Sequence, residues 1–281
     1  MGKDWDIRKT ADEIRQETFS MIHHAGGGHF GGCMSVIEIL TVLYFRIMNI
    51  HPSEPHWVDR DRLILSKGHA GPALYATLCR RGFFEDDLLG ELDQNGGRLA
   101  KHADRKVPGV DYSTGALGMG LSVANGLAAA AKLDGKNHRI YVVLGDGELN
   151  EGQIWEAMMT ASQYGLDNLI AIVDRNFCQI DGSTEEIKAL EPLVKRWKDF
   201  GWNTHETDGH DPEALEKSIR DAMTEHGKPS VIIANTVKGR GIPFMEDTKQ
   251  HQVDWHAGTV IQEAFNETML FLREEVSYDE V

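Results

Sequence analysis

Two apolar runs, residues 140–144 (IYVVL) and 169–173 (LIAIV), constrain this chain more than any other feature, because a helical segment joins them. Each run ends in a polar cluster. The first enters Gly145-Asp146-Gly147, and the second ends in Asp174, Arg175 and Asn176. Strands connected through a helix run parallel. Asp146 and Asn176, 30 residues apart, therefore belong at the same carboxyl-terminal sheet edge, where open α/β sheets bind ligands. A carboxylate and an amide oxygen are hard donors suited to Mg²⁺ or Ca²⁺, and Mg²⁺ is commonly held together with phosphates. The segment reads as a metal-bridged diphosphate site. Gly-Asp-Gly by itself would be an ordinary strand-end turn, and the second strand end favours the metal.

Alternating strand and helix signals extend this unit along the chain. Residues 4–23 have helical periodicity, a flexible glycine turn follows at 25–32 (AGGGHFGG), and a second apolar helix covers 34–48. A short strand at 63–65 leads into SKGHAGPALYATL, with a helix starting near His69. Residues 93–116 form a long polar loop, a length that is usually functional or disordered. A small-residue helix at 117–133 precedes the first apolar run, and a helix closes between Trp197 and Trp202. Asp211-Pro212 supplies an N-cap and a first helical residue. Residues 231–237 are a buried strand, and 259–276 an amphipathic helix. The pattern predicts an α/β fold, a mostly parallel doubly wound sheet flanked by helices. Four strand ends then carry His69, Asp146, Asn176 and Lys238 to one edge.

With 281 residues, 41% hydrophobic, the chain can form one large α/β unit. A formal charge of −15 opposes nucleic acid or an anionic membrane as partner. No apolar run approaches the ~20 residues that span a bilayer. The amino terminus lacks a signal-peptide core, and Asp6 stands where myristoylation requires Ser or Thr. Cys33, Cys79 and Cys178 are odd in number and scattered, as expected for reduced core thiols of a cytoplasmic protein.

LSKGHAGPALYATL, PGVDYSTGALGMGLSVANG, GDGELNEGQIWEAM and TVKGRGI occur in the order found in the amino-terminal part of transketolase. The chain resembles that family over nearly its whole length. The resemblance implies a thiamine diphosphate-binding fold, a single pyrophosphate-binding domain over 1–281, and transfer of a two-carbon ketol unit between sugars. It implies Mg²⁺, replaceable by Ca²⁺ or Mn²⁺, held by Asp146, Asn176 and the Cys178 carbonyl. Gly147 would let the chain approach the phosphates. Gly115, Ala116 and Leu117 would pack on the cofactor, while Lys67, His69 and Lys238 approach its diphosphate. Glu151 matches a carboxylate that meets the partner chain's activating glutamate. His29, His102 and His256 match histidines that bind sugar hydroxyls and move protons, work that suits a side chain with a pKa of ~6.5.

Simpler roles compete with several of these. His69 could merely cap a helix, His102 could be a solvated loop residue, and His251 rivals His256, because Ala257 interrupts the family's Trp-His-Gly. His23 and His24 read as helix-surface residues, Glu148 as solvated, and Met158 and Met159 as core packing. Ala116 replaces a family proline, and Gly32 a polar residue that could contact substrate.

The chain's end at Val281, without a pyrimidine-binding or carboxyl-terminal domain, implies a two-chain transketolase. This chain would be its amino-terminal subunit, paired with a carboxyl-terminal chain as an α2β2 heterotetramer and acting on ketoses and aldoses, phosphorylated in the family's manner. The alternatives are a subunit of a 2-oxoacid-decarboxylating or deoxyxylulose-phosphate synthase type enzyme, or a non-catalytic subunit that kept the fold.

Overall fold

The computed structural model describes residues 5–180 and 182–278, with side chains described to Glu274. The Met-Gly terminus, the helix start expected at Asp4 and the chain end at Val281 lie outside the described residues. The strands are β1 (Arg62–Leu65), β2 (Ile140–Gly145), β3 (Leu169–Arg175), β4 (Cys178–Gln179), β5 (Gly182–Ser183), β6 (Asn203–Asp208) and β7 (Ser230–Asn235). The helices are α1 (Ile7–His24), α2 (Phe30–Met34), α3 (Ile37–Val42), α4 (Gly71–Arg81), α5 (Gly120–Leu133) and α6 (Gly152–Gln163). They continue with α7 (Thr184–Lys188), α8 (Leu193–Asp199), α9 (Pro212–Ala222), α10 (Pro243–Glu246), α11 (Lys249–Asp254) and α12 (Gln262–Tyr278).

Five strands form one parallel sheet in the order β1-β2-β3-β7-β6, as the strand-helix alternation predicts. Both faces are covered, which is why the central strands read as unbroken apolar runs. Along β2 the side chains alternate between two cores. Tyr141 and Val143 join Phe19, Phe30 and Ile219 on one face, and Val142 and Leu144 join Leu121, Met158 and Trp197 on the other. The sheet register sets Gly145 opposite Asp174 and Arg175 opposite Asn235, so the ends of β2, β3 and β7 finish side by side.

Several sequence expectations need correction. The polar edge strand β6 (NTHETD) carries no strand signal, because an edge strand is held by main-chain pairing and need not be apolar. The short β4–β5 hairpin carries none either. Residues 30–47 are not one helix from Met34: α2, α3 and a π-helical turn at Leu43–Ile47 divide them. That window is apolar and long enough to cross a membrane, yet 83% of it is buried inside the fold. Met158 packs in the core as expected, whereas Met159 is 54% exposed. His24 is exposed, but His23 is half-buried and stacks on Phe265 with ring centroids 4.0 Å apart. Cys33, Cys79 and Cys178 are free and buried, and burial pushes the Cys33 thiol up to about 12.

Candidate active site

The glycine turn before α2 is a close-packed junction, which corrects the expectation that it is flexible. Gly28 and Gly258 exchange two backbone hydrogen bonds of 3.0 Å, Gly31 donates to Trp255 O at 2.9 Å, and Gly239 donates to Gly31 O at 3.2 Å. A side chain at Gly27 would have its Cβ 2.4 Å from Gly258 O, and one at Gly31 would come 2.8 Å from Lys238 Cγ. Glycine is required here for close approach. The junction joins three separate segments, carrying His29, Lys238 and His256.

His69 and His102 arrive from the α4 side. Tyr75 of α4 donates to the His102 carbonyl at 2.8 Å, and Thr114 N to Ala103 O at 3.0 Å, which fixes the 93–116 loop. Four imidazoles thus converge. His29 lies 5.3 Å from His69, 6.0 Å from His102 and 5.4 Å from His256, and His69 lies 5.5 Å from His256 (ring centroids). Burial, then the neighbouring cations and imidazoles, lowers the pKa of His29 and His69, and brings His256 to about 4. At neutral pH these three rings are uncharged. His29 Nδ1 is buried without a hydrogen-bond partner, as expected of an atom reserved for a ligand. His251 is exposed, pairs with Asp247 and lies outside the cluster, so His256 is the histidine that reaches the site.

Gly32 has a structural reason: a Cβ there would sit 2.8 Å from His69 Nε2. The residue read as a lost substrate contact makes room for the imidazole.

Asp146 and Asn176 follow β2 and β3 on the shared edge. Asp146 Oδ1 accepts from Gly147 N at 2.8 Å, and Oδ2 from Phe177 N at 2.6 Å and Arg175 at 3.2 Å. Burial raises the Asp146 pKa to about 6 in spite of Arg175. Asn176 Oδ1 accepts from Cys178 N at 3.1 Å. Each oxygen can accept two bonds, so Asp146 Oδ1 and Asn176 Oδ1 each retain a free lone pair. Cys178 follows at the start of β4. Among the described residues no group of three or more His, Cys, Asp or Glu could hold a metal. A cation here must draw on carboxylate, amide and carbonyl oxygens, the hard donor set that suits Mg²⁺. For Gly147 the spatial reason differs from the expected phosphate approach, since its Cβ would lie 2.7 Å from Gln179 Cβ.

Two expectations fail because a charged group is satisfied inside the fold, one by an ion pair and one by neutral donors. Lys67 does not point its charge outward to a cofactor: its ammonium forms an ion pair with Asp174 and donates to Gly32 O at 2.8 Å. Ser35 at 2.6 Å and Thr236 complete the bonds to Asp174. Burial raises the Asp174 pKa, but Lys67 and the two hydroxyls lower it further, below the ordinary carboxylate value. Lys67 thus ties β1 to β3 and supports the site from inside. Glu148 is 2% exposed rather than solvated. It accepts from Ser66, from Gly118 N at 2.9 Å and from Gly145 N at 3.1 Å, joining the ends of β1 and β2 to the loop before α5.

The rim is open. Gly115, Ala116, Leu117 and Glu151 are exposed, Leu117 to 47%. Gly118 packs directly on Glu151, since a Cβ would lie 2.7 Å from Glu151 Cβ. An apolar shelf and a carboxylate therefore stand together at the edge. Lys238 is 2% exposed, with Nζ 3.1 Å from His256 Nδ1.

Sequence reasoning missed Asp174, Arg175 and Ser66. The available signal was charge at the last positions of a buried strand: Asp174 and Arg175 close β3 and require partners. Arg175 bonds Thr184 at 2.7 Å, Glu185 at 2.8 Å and Glu191 at 3.0 Å, linking Asp146 to the segment around α7.

Residues 7–267 match the family model described as "Transketolase, thiamine diphosphate binding domain". The 6-deoxy-6-sulfo-D-fructose transketolase subunit SqwG of Clostridium sp. (strain MSTE9) is 48% identical over 242 residues, 86% of this chain and 88% of the relative. An apulose-4-phosphate transketolase subunit of Phocaeicola vulgatus is 40% identical over 266 residues, 95% of this chain and 93% of the relative. The crystal structure of transketolase from Campylobacter jejuni superposes with a TM-score of 0.88 at 30% identity. That match covers 96% of this chain and 42% of the solved one.

Proposed function

The chain belongs to the transketolase family through its thiamine diphosphate-binding domain, and from that premise we propose that it is the amino-terminal subunit of a two-chain transketolase. It would hold the cofactor diphosphate and form one wall of the sugar site, as a single domain. The observation that carries this is the four-histidine cluster on the same sheet edge as Asp146 and Asn176. Relatives that this chain covers to 88% and 93% are named as transketolase subunits, which supports a partner chain. We take that partner to be the carboxyl-terminal, pyrimidine-binding chain, in an α2β2 assembly. The open rim with exposed Leu117 and Glu151 fits a surface completed by it.

Asp146, Asn176 and the Cys178 carbonyl would hold Mg²⁺, with His69 and Lys238 toward the diphosphate and Gly115, Ala116 and Leu117 against the rings. Thiamine diphosphate, when bound, supplies a nucleophilic ring carbon and an electron sink for breaking and making the carbon–carbon bond beside a carbonyl. The residues of this chain orient the sugar, exclude water and handle protons. Neutral His29 can accept a hydroxyl proton at Nδ1, its buried unpartnered atom. His256 accepts from Lys238 at Nδ1 and so carries its proton on Nε2, available to a sugar oxygen. His102, exposed in the 93–116 loop, would close over the sugar. Glu151 would hydrogen-bond the partner's activating carboxylate.

Both named relatives act on anionic sugars, one sulfonated and one phosphorylated, which supports a ketose with a terminal anionic group as donor. Thermal denaturation of the chain with its partner tests the cofactor assignment. Thiamine diphosphate with Mg²⁺ should raise the midpoint for the wild type and not for Asp146→Ala. Equal stabilisation of both proteins would refute the assignment of Asp146.

A further inference from the structure

Lys238 lies in a loop, residues 237–241, that a buried polar network grips from the side away from Gly31. His210 Nδ1 is 3.1 Å from Glu38 Oε2, and His210 Nε2 accepts from Val237 N at 2.7 Å. The backbone amide can only donate, so Nε2 is the acceptor and Nδ1 carries the proton that Glu38 receives. Arg15 pairs with the other Glu38 oxygen and donates to Arg240 O at 2.9 Å and Met34 O at 3.2 Å. The network thus bonds the loop at Val237 and at Arg240, on both sides of Lys238.

These are buried groups. Arg15 is 3% exposed and Glu38 6%. Burial would raise the Glu38 pKa, but Arg15 and His210 outweigh it and hold the carboxyl at about 2. Local geometry brings the pieces together. Gly209 N donates to Asn235 O at 2.7 Å, and a Cβ at Gly209 would lie 2.4 Å from Thr236 Cγ2, so only glycine lets His210 reach Val237. A Cβ at Gly241 would lie 2.6 Å from Arg15 Cδ. From the other side Gly239 bonds Gly31 O, and the Lys238 stem fills the space above Gly31.

We infer that His210, with Glu38 and Arg15 behind it, is a positioning residue for Lys238: the hydrogen bond to Val237 N fixes where the ammonium meets an anionic ligand. The inference rests on the assignment of Lys238 to the cofactor diphosphate. His210 touches neither cofactor nor substrate and acts through the loop.

The two imidazole nitrogens can be separated by substitution. In His210→Gln the side-chain oxygen can replace Nε2 as acceptor for Val237 N. In His210→Asn the shorter amide replaces only Nδ1 and keeps the bond to Glu38.

A double-mutant cycle tests this by calorimetric titration of the full chain with inorganic pyrophosphate and Mg²⁺. Thermal midpoints are taken in parallel for every variant. Lys238→Met should weaken binding about tenfold or more, about 1.4 kcal/mol per factor of ten. His210→Asn should weaken it about fivefold in the wild-type background and less than twofold beside Lys238→Met. His210→Gln should stay within twofold of wild type. Equal losses from His210→Asn in both backgrounds, or the same loss from His210→Gln, would overturn the positioning role alone. If Lys238→Met leaves pyrophosphate binding unchanged, or the wild type does not bind it, the Lys238 assignment falls and the inference with it.

Discussion

The buried Lys238 Nζ stands 3.1 Å from Nδ1 of the half-buried His256. An ammonium can only donate, so this contact fixes the imidazole as acceptor at Nδ1. Burial first, and then Lys238, hold the His256 pKa near 4. The pair explains how a histidine beside a cation remains a neutral donor at its other nitrogen.

A pH dependence of stability follows. His29, His69 and His256 are all depressed in the folded chain, whereas an unfolded histidine titrates near ~6.5. Below that pH the unfolded state binds more protons than the folded one. Stability is therefore full above pH ~6.5 and falls as the pH drops toward about 4, where folded His256 itself protonates. His256→Gln should reduce the loss between pH 7 and 4.5 by about 1–2 kcal/mol, discounted for partial exposure. Urea midpoints of the two proteins at both pH values check this; parallel curves would contradict it.

Lys67 is a test of the internal ion pair. Lys67→Met leaves the Asp174 carboxylate buried and unpaired, which should cost about 3–5 kcal/mol. Adding Asp174→Asn should restore part of that loss, because the uncompensated charge is gone. Chemical denaturation of the two variants decides it. If Lys67→Met is nearly neutral, the lysine is not the support described.

Glu148 accepts three hydrogen bonds from donors on three segments. In Glu148→Gln one donor must face another donor, and the expected cost is about 1–3 kcal/mol. Denaturant unfolding measures it, and an unchanged midpoint would return Glu148 to a solvated role.

Gly32→Ala places a methyl group against His69 Nε2. Overpacking of this kind should lower stability by about 1–3 kcal/mol and weaken thiamine diphosphate binding as the ring is displaced. Calorimetry on the variant with its partner, compared with thermal melting, distinguishes a local effect from general unfolding.

The sheet and the ligand edge were legible because β2 and β3 are buried on both faces and read as apolar runs ending in polar residues. The edge strand β6 was hidden, since main-chain pairing with β7 holds it whatever its side chains are. At the site, Asp146, Asn176, His69 and Lys238 were legible as strand-end residues. Lys67 and Glu148 were misread because sequence reveals that a residue is charged, not that its partner lies on another strand. Asp174 and Arg175 were missed for the same reason. Gly32 reads in sequence as a lost contact, and only the position of the His69 ring gives it a role. The choice of His256 over His251 likewise needed the Gly28–Gly258 bridge.

The most direct test of the two-chain assignment is ketol transfer by the purified chain with and without its co-purified partner, in the presence of thiamine diphosphate and Mg²⁺. Products from a panel of phosphorylated and sulfonated ketoses would be read by mass spectrometry. Two-carbon transfer by the mixture, with none from either chain alone and none from Asp146→Ala in the mixture, is the predicted result. Robust transfer by this chain alone, or pyruvate turnover by the mixture without ketose turnover, would contradict it.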